Sequence, residues 1–390
     1  MTRDSRIGVG IVGANPERGW AVRGHLPALR ALPGYRLAAV ATTRPESARA
    51  AADRFGAAHA FTDPRRLSEH PEVDLVVVTV AVAAHAELVG AALAAGKHVY
   101  CEWPLGVTTE QVRELTEAAG RAGVLAVAGL QARFAPALRR ARELVDAGAL
   151  GRVTSVTVHA TRGKGAEQAV PGWTAYTYDR DGGAGLLEVY GGHTLDALEF
   201  LAGPVVELSA ALSVQRPRHT VAETGRALDV TAPDHLLLSA QLASGALASV
   251  HVHDGKVGAP GARIELAGTA GDLVVETVEA DGPLGGQLQI SPLRLRRAAA
   301  GTGWREVPLP VGAPDRVPPE ARNVAALYAQ LAADLTGARP DTGPDTQSDT
   351  VPGTPTFSEG LRVHRLLDTV RRAADTGRRQ RVDPAPVLTG

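Results

Sequence analysis

From Ile7 to Ala128 the sequence alternates short apolar runs with helix-like segments, each closed by glycine or proline. The most constraining run is 74–80 (DLVVVTV), which is β-branched almost throughout and shows no polar alternation. Such a strand must be covered on both faces, which in practice means a parallel sheet flanked by helices. Residues 7–12, 36–42, 97–101 and 125–128 supply further strands, and 20–32, 45–55, 84–95 and 109–122 supply the helices between them. Strand followed by helix, repeated, predicts an α/β fold with a doubly wound parallel sheet over residues 1–128.

After Gly129 the rhythm changes. A helix over 136–147 precedes a strand over 152–161, and an irregular stretch, 163–185, leads to a helix around 193–201. From Val205 to about Leu309 short strands dominate, among them 235–242 and 246–253. Closing helices are expected over 322–335 and 357–374. The Pro-, Asp-, Thr- and Gly-rich stretch between them, 337–355, reads as a mobile loop. Residues 129–390 are therefore expected to form a second, α+β domain with a largely antiparallel sheet. A chain of 390 residues suits two domains.

A formal net charge of −1 argues against a general nucleic-acid or membrane-surface binder, because either needs a basic surplus. Cys101 is the single cysteine, so no intrachain disulfide and no cysteine-built zinc site can form, and a reducing compartment fits best. The polar start, residues 1–6, has no secretory pattern, and no run reaches the roughly 18–20 apolar residues that a membrane span needs. A cytoplasmic location is the expectation. Lys97, Lys164 and Lys256 are the only lysines, which leaves few candidates for lysine chemistry.

Gly8, Gly10 and Gly13 spell a GxGxxG, but starting the turn at Gly8 leaves almost no strand before it. A phosphate-binding turn needs a strand, a tight turn, and a helix whose first N–H groups face the pyrophosphate. The better register has Gly13 at the tight turn, Asn15 where a second glycine is usual (asparagine tolerates positive φ), and Gly19 with Trp20 at the helix start. At the end of the second strand an Asp or Glu would bind the adenosine ribose; here stand Thr42, Thr43 and Arg44. Hydroxyls and a guanidinium suit a 2′-phosphate, so NADP is expected ahead of NAD. The alternative for Arg44 is a solvated helix start.

With the apolar strand 73–78, His85, and the run 95–102 (AGKHVYCE), the sequence resembles the glucose–fructose oxidoreductase/inositol dehydrogenase/MocA family. Residues 182–188 (GGAGLLE) and 193–196 (HTLD) are similar to that family's catalytic helix. The resemblance implies a Rossmann domain and an NAD(P)-dependent oxidoreductase acting on a sugar-like or cyclic polyol substrate, as a homodimer or homotetramer. It also implies a cofactor cleft lined by His85, Glu102, Trp103 and Pro104, with His193 as the group that handles the proton. The family's Glu-Lys-Pro is Glu102-Trp103-Pro104 here, and an indole has no titratable group. This change is similar to the subgroup containing the fungal galactose-pathway repressor, which binds NADP and acts through a protein partner. A catalytically silent sensor is therefore the alternative function.

Around His193 the remaining candidates are Asp196, which shares its helical face, and Tyr190, whose phenol offers a second proton donor. Glu188 lies five residues before His193, so a bulge is needed to bring the two together. Lys164, Trp173, Tyr176 and Glu188 are the candidate substrate contacts; for each, packing or solvation is the plainer reading. His251 and His253 share one face of a strand and resemble a metal pair, but no carboxylate cluster accompanies them and no metal is expected.

Overall fold

The structure, a computed structural model, describes residues 5–278, 285–314, 316–337 and 353–383. The chain divides into two compact units: Met1–Phe134 with Gly312–Leu361, and Ala135–Val311 with Arg362–Gly390. It thus returns to the first unit near its end, where the sequence reading divides it once, after residue 128.

In the first unit β1 (Ile7–Val12), β2 (Tyr35–Ala41), β3 (His59–Phe61), β4 (Leu75–Val78), β5 (His98–Cys101) and β6 (Ala126–Ala128) make one sheet in the order β3-β2-β1-β4-β5-β6. Every neighbouring pair is parallel. The helices α1 (Leu26–Ala31), α2 (Pro45–Phe55), α3 (Pro64–Ser68), α4 (His85–Ala94) and α5 (Thr109–Ala122) lie between the strands in the chain. Their ends follow local chemistry. Pro45 opens α2 and Gly56 closes it at φ 76°, while Thr108 and Gln111 cap α5 reciprocally before Gly123 ends it at φ 64°. This is the doubly wound parallel sheet that the alternation predicts.

Close packing explains the first two glycines of the GxGxxG. A Cβ on Gly8 would lie 1.9 Å from the Glu72 carbonyl oxygen, and one on Gly10 would lie 2.6 Å from Leu67 Cδ2. Both glycines belong to β1 itself, and the turn begins only at Gly13.

The second unit opens with α6 (Pro136–Asp146) and β7 (Val153–Thr161), then β8 (Ala169–Val170), α7 (Gly192–Ala202) and β9 (Val205–Ser213). The strands β10 (Arg218–Val221), β11 (Ala227–Asp229), β12 (His235–Leu242), β13 (Leu247–His253), β14 (Gly261–Gly268), β15 (Gly271–Thr277), β16 (Leu293–Ala299), β17 (Arg305–Glu306) and β18 (Gln380–Arg381) follow. A nine-stranded sheet runs β17-β16-β15-β14-β7-β13-β12-β9-β18, and β11-β10-β8 form a smaller one. The large sheet is antiparallel apart from the β7–β13 pair. Alternation shows why it is one-sided: Leu236, Leu238, Ala240 and Leu242 of β12 are buried, whereas Leu237 is 57% exposed.

The last two helices are α8 (Pro319–Thr336) and α9 (Phe357–Thr376). Val324, Leu327, Tyr328 and Leu331 of α8 pack with Leu26, Ala28 and Leu29 of α1 in the core of the first unit. Most of the stretch 337–355, read from the sequence as a loop, lies outside the described residues. Among the described residues no helix is long and apolar enough to cross a membrane.

His364, on α9, is 4% exposed. Burial, reinforced by Arg371, pushes its pKa down to about 3 from 6.5. Below pH 6.5 the unfolded chain therefore takes up a proton that the native state refuses, and stability falls until the pH reaches about 3. Urea titration is expected to show about 2–3 kcal/mol less stability at pH 4.5 than at pH 7 from this group alone. In His364→Gln that part of the loss disappears; an unchanged pH profile in the variant contradicts the assignment.

Candidate functional site

The first unit places its candidate residues at the carboxyl ends of the parallel strands, where open α/β sheets bind ligands. Gly13 follows β1 at φ 95°, and a Cβ there would meet Val80 Cγ1 at 2.8 Å and Thr79 Oγ1 at 2.9 Å. Asn15 works differently from the positive-φ glycine substitute expected of it. No described non-glycine residue has positive φ, and Asn15 Oδ1 instead accepts from the Glu17 and Arg18 N–H groups at 2.9 and 3.3 Å. The side chain thereby caps the extended loop, which turns back at Gly19, φ 102°.

The helix after the loop starts as a π turn, Ala21–His25, before α1. Trp20 lies over Gly24, where a Cβ would meet its ring at 2.8 Å, and its buried Nε1 has no hydrogen-bond partner among the described residues. After β2, Thr42 Oγ1 bonds Ser47 Oγ at 2.6 Å and donates to the Arg44 carbonyl, which shapes the start of α2. Thr43 and Arg44 are exposed. Among the described residues the Arg44 guanidinium makes no ion pair.

Glu102 sits just beyond β5, and its neighbours were not legible beforehand. His25 Nε2 is hydrogen-bonded to Glu102 Oε1 at 2.9 Å, and His25 Nδ1 to the Tyr328 hydroxyl at 2.7 Å. The Tyr35 hydroxyl donates in turn to the Tyr328 carbonyl at 2.7 Å. The Trp103–Pro104 peptide is cis. A Cβ on Gly129 would lie 3.0 Å from Glu102 Cα and from Trp103 N, so β6 presses against this loop. His25 did leave a signal: it is the one ionisable side chain in the apolar run 24–29.

His85 is 2% exposed, with Nδ1 2.9 Å from the Pro104 carbonyl, Nε2 3.0 Å from that of Val80, and the Cys101 thiol 3.3 Å from Nδ1. Burial lowers its pKa, against the two carbonyls, and the ring lies between the cis-proline loop and the end of β4.

In the second unit, α7 is also entered through a π turn, Leu187–Gly191, in which the Gly191 N–H donates to the Leu186 carbonyl at 2.8 Å. This i→i+5 bond takes an extra residue into the turn and is the bulge that the spacing of Glu188 and His193 calls for. The acids nevertheless turn to α9. Arg371 Nη2 is 2.7 Å from Glu188 Oε1, Arg362 pairs with Glu199, and Arg362 Nη2 is 3.9 Å from Asp196 Oδ1. Glu188 is thus paired with Arg371. Asp196 is fully buried and His193 is 4% exposed.

Tyr190 is fully buried and its hydroxyl donates to the Gly286 carbonyl at 3.0 Å. Burial raises its pKa. In this structure the phenol proton is held by a backbone carbonyl. Trp173 and Tyr176 are 58% and 44% exposed. Lys164 lines a small pocket of about 20 Å³, room for a water, with Nζ 4.7 Å from the centre of the Tyr178 ring. Beside it Arg162 makes a bidentate pair with Asp254, at 2.7 and 2.8 Å.

His251 and His253 prove to be half of a larger group. His159 and His235 join them on one sheet face, with ring centroids 4.9–6.2 Å apart. Among the described residues no three His, Cys, Asp or Glu side chains are arranged to hold a metal ion.

Residues 7–130 match the GFO_IDH_MocA model, an oxidoreductase family with an NAD-binding Rossmann fold, and residues 136–277 match the C-terminal domain model of Gal80p. The chain belongs to the Gfo/Idh/MocA family. Within it the chain lies in the Gal80-like subgroup. It is 28% identical to the galactose/lactose metabolism regulatory protein GAL80 of Saccharomyces cerevisiae over 290 residues, 69% of this chain and 66% of that protein. It is 35% identical to the D-glucoside 3-dehydrogenase of Escherichia coli over 181 residues, 46% of this chain and 50% of the enzyme. The chain thus spans half to two thirds of the length of these relatives. The crystal structure of the super-repressor mutant Gal80(S2) of Saccharomyces cerevisiae Gal80p superposes with a TM-score of 0.83 at 24% identity, covering 97% of this chain and 98% of that one, which shows the shared fold.

The two turn glycines are expected to differ on substitution. Gly19→Ala meets nothing within 4 Å and carries only the cost of its φ, about 1–2 kcal/mol. Gly13→Ala adds the contacts with Val80 and Thr79 and costs more. Urea unfolding of both variants checks this, and equal losses contradict it.

Proposed function

We propose that the chain is an oxidoreductase that moves hydride between a nicotinamide dinucleotide, NADP(H) ahead of NAD(H), and a carbinol or carbonyl carbon of a sugar-like or cyclic polyol substrate. The observation that carries this reading is the turn at Gly13, where positive φ and the absence of room for a side chain leave backbone to face a ligand between β1 and the helix. The unpartnered indole N–H of Trp20 at the start of that helix adds a donor, and the absence of an acidic residue among Thr42, Thr43 and Arg44 favours a 2′-phosphate. When bound, the nicotinamide supplies the hydride donor or acceptor at C4.

His193 takes the proton from the substrate hydroxyl in oxidation and returns it in reduction. Asp196, one turn on and 3.9 Å from Arg362, orients the imidazole or binds a substrate hydroxyl. Glu102, fixed by His25, and cis-Pro104 shape the cofactor side, while Trp103 closes it without proton chemistry. Lys164, Trp173 and Tyr176 meet the substrate. The reading includes a cytoplasmic protein without nucleic-acid or membrane partners. It also includes a homodimer or homotetramer joined through the open face of the nine-stranded sheet, where Leu237 and Leu247 are 57% and 61% exposed.

A second reading is favoured by Trp103 in the lysine position and by the Gal80p match over residues 136–277: a catalytically silent, NADP-binding regulator acting through a protein partner. Turnover separates the two. With NADPH and a panel of keto-sugars, or NADP⁺ and a panel of sugars and inositols, the absorbance of the reduced cofactor is expected to change. His193→Ala is expected to lower kcat by about 10²–10⁴-fold while nucleotide affinity is kept. Tight nucleotide binding without turnover across the panel favours the regulator, and unchanged kcat in the variant removes His193 from the chemistry.

A further inference from the structure

The ends of β2 and β3 lie side by side, with the Thr42 N–H donating to the Phe61 carbonyl at 3.2 Å. Beside them, between α2 and the turn from β3 into α3, is a pocket of about 170 Å³ that belongs wholly to the first unit. Ala48, Arg49, Phe61, Thr62, Asp63 and Arg66 line it. One water needs only about 10–15 Å³ of such space, so a group of several heavy atoms has room here.

The cations of this pocket are unmatched. Elsewhere in the first unit arginines meet carboxylates: Arg23 pairs with Glu320 at 2.9 Å, Arg36 with Glu72 at 3.1 Å, and Arg65 with Glu87 at 3.5 Å. Arg49 and Arg66 make no ion pair and no side-chain hydrogen bond among the described residues. Asp63, the one carboxylate in the lining, has Oδ1 on the Arg65 N–H at 2.9 Å, where it caps α3. Two guanidiniums with five N–H donors each, one from α2 and one from α3, are thus left for an acceptor from outside the chain. The Thr42 hydroxyl, at the end of β2, is spent on Ser47 and on the Arg44 carbonyl.

We infer that this pocket takes a phosphate monoester, the 2′-phosphate of NADP(H), and that Arg49 and Arg66 determine the preference for NADP(H) over NAD(H). A phosphate monoester carries a charge of about −1.5 to −2 at pH 7 on three acceptor oxygens, which suits two guanidinium forks arriving from two elements. A neutral group leaves both charges unanswered. The adenosine ribose of a dinucleotide docks at the end of the second strand of such a sheet, and the pocket opens beside that strand end. This assignment rests on the dinucleotide reading above and adds which side chains read the phosphate. Free phosphate offers the same chemistry without a nucleotide, and the experiment separates the two sources.

Calorimetric titration of the full chain with NADPH, NADH and inorganic phosphate tests this. The ratio of NADPH to NADH affinity is expected to fall about ten-fold in Arg49→Gln and in Arg66→Gln, the scale of one charge-assisted hydrogen bond. Arg49→Lys, which keeps the charge and loses the fork, is expected to recover part of that ratio. Arg65→Gln removes the same charge one residue from Arg66 but outside the pocket, and is expected to change the ratio by less than about two-fold. Circular dichroism checks that each variant is folded. Because both arginines are exposed, added salt is expected to weaken NADPH more than NADH. An unchanged ratio in both glutamine variants, an equal loss in Arg65→Gln, or equal affinity of the unmodified chain for NADPH and NADH each overturns the inference and leaves dinucleotide binding standing. Phosphate binding that depends on Arg49 and Arg66, with the ratio unmoved, makes this a free-phosphate site and overturns the 2′-phosphate assignment. If neither nucleotide binds, the dinucleotide reading fails and takes the inference with it.

Discussion

The first unit depends on a buried hydrogen-bond chain that ends on a carboxylate. His25 stands between Tyr328 of α8 and Glu102 at the carboxyl end of β5, with one ring nitrogen on each. Tyr100 and Tyr328 pack edge-on against its imidazole. The chain links the phosphate-turn helix, the strand end and the late helix α8. It thereby fixes Glu102 and, with His85 behind Pro104, the cis loop beside it. This is why a helix more than 300 residues along the chain from Gly13 belongs to the same unit.

The second unit manages charge differently. Its site helix carries Glu188, Asp196 and Glu199, all buried, and α9 answers them with Arg362 and Arg371. Lys164 and Arg216 line a small neighbouring pocket of the same unit.

Much of this was legible in the sequence, because local chemistry set it. The runs of Val and Ile, the Pro and Gly helix ends, and the glycine turn after β1 all follow from steric rules that act within a few residues. Asn15 was misread because its side chain bonds forward to Glu17 and Arg18, which a glycine-for-asparagine comparison does not reveal. The partners of Tyr190 and Glu188, Gly286 and Arg371, were not legible because they lie 96 and 183 residues away in the chain. The need for a bulge before His193 was legible from spacing alone; that it takes the form of a π turn was not. His25, Tyr328 and the Lys164 pocket depend on long-range packing that no local pattern reports.

The central claim is that the Gly13 turn and the Glu102-Trp103-Pro104 loop hold a nicotinamide dinucleotide. Titration of the purified chain with NADPH and NADH, followed by quenching of tryptophan fluorescence, tests it most directly. The account predicts saturable binding of one nucleotide per chain, with NADPH tighter than NADH. If neither nucleotide binds, the first unit is a Rossmann fold without its ligand, and the account is contradicted at its base.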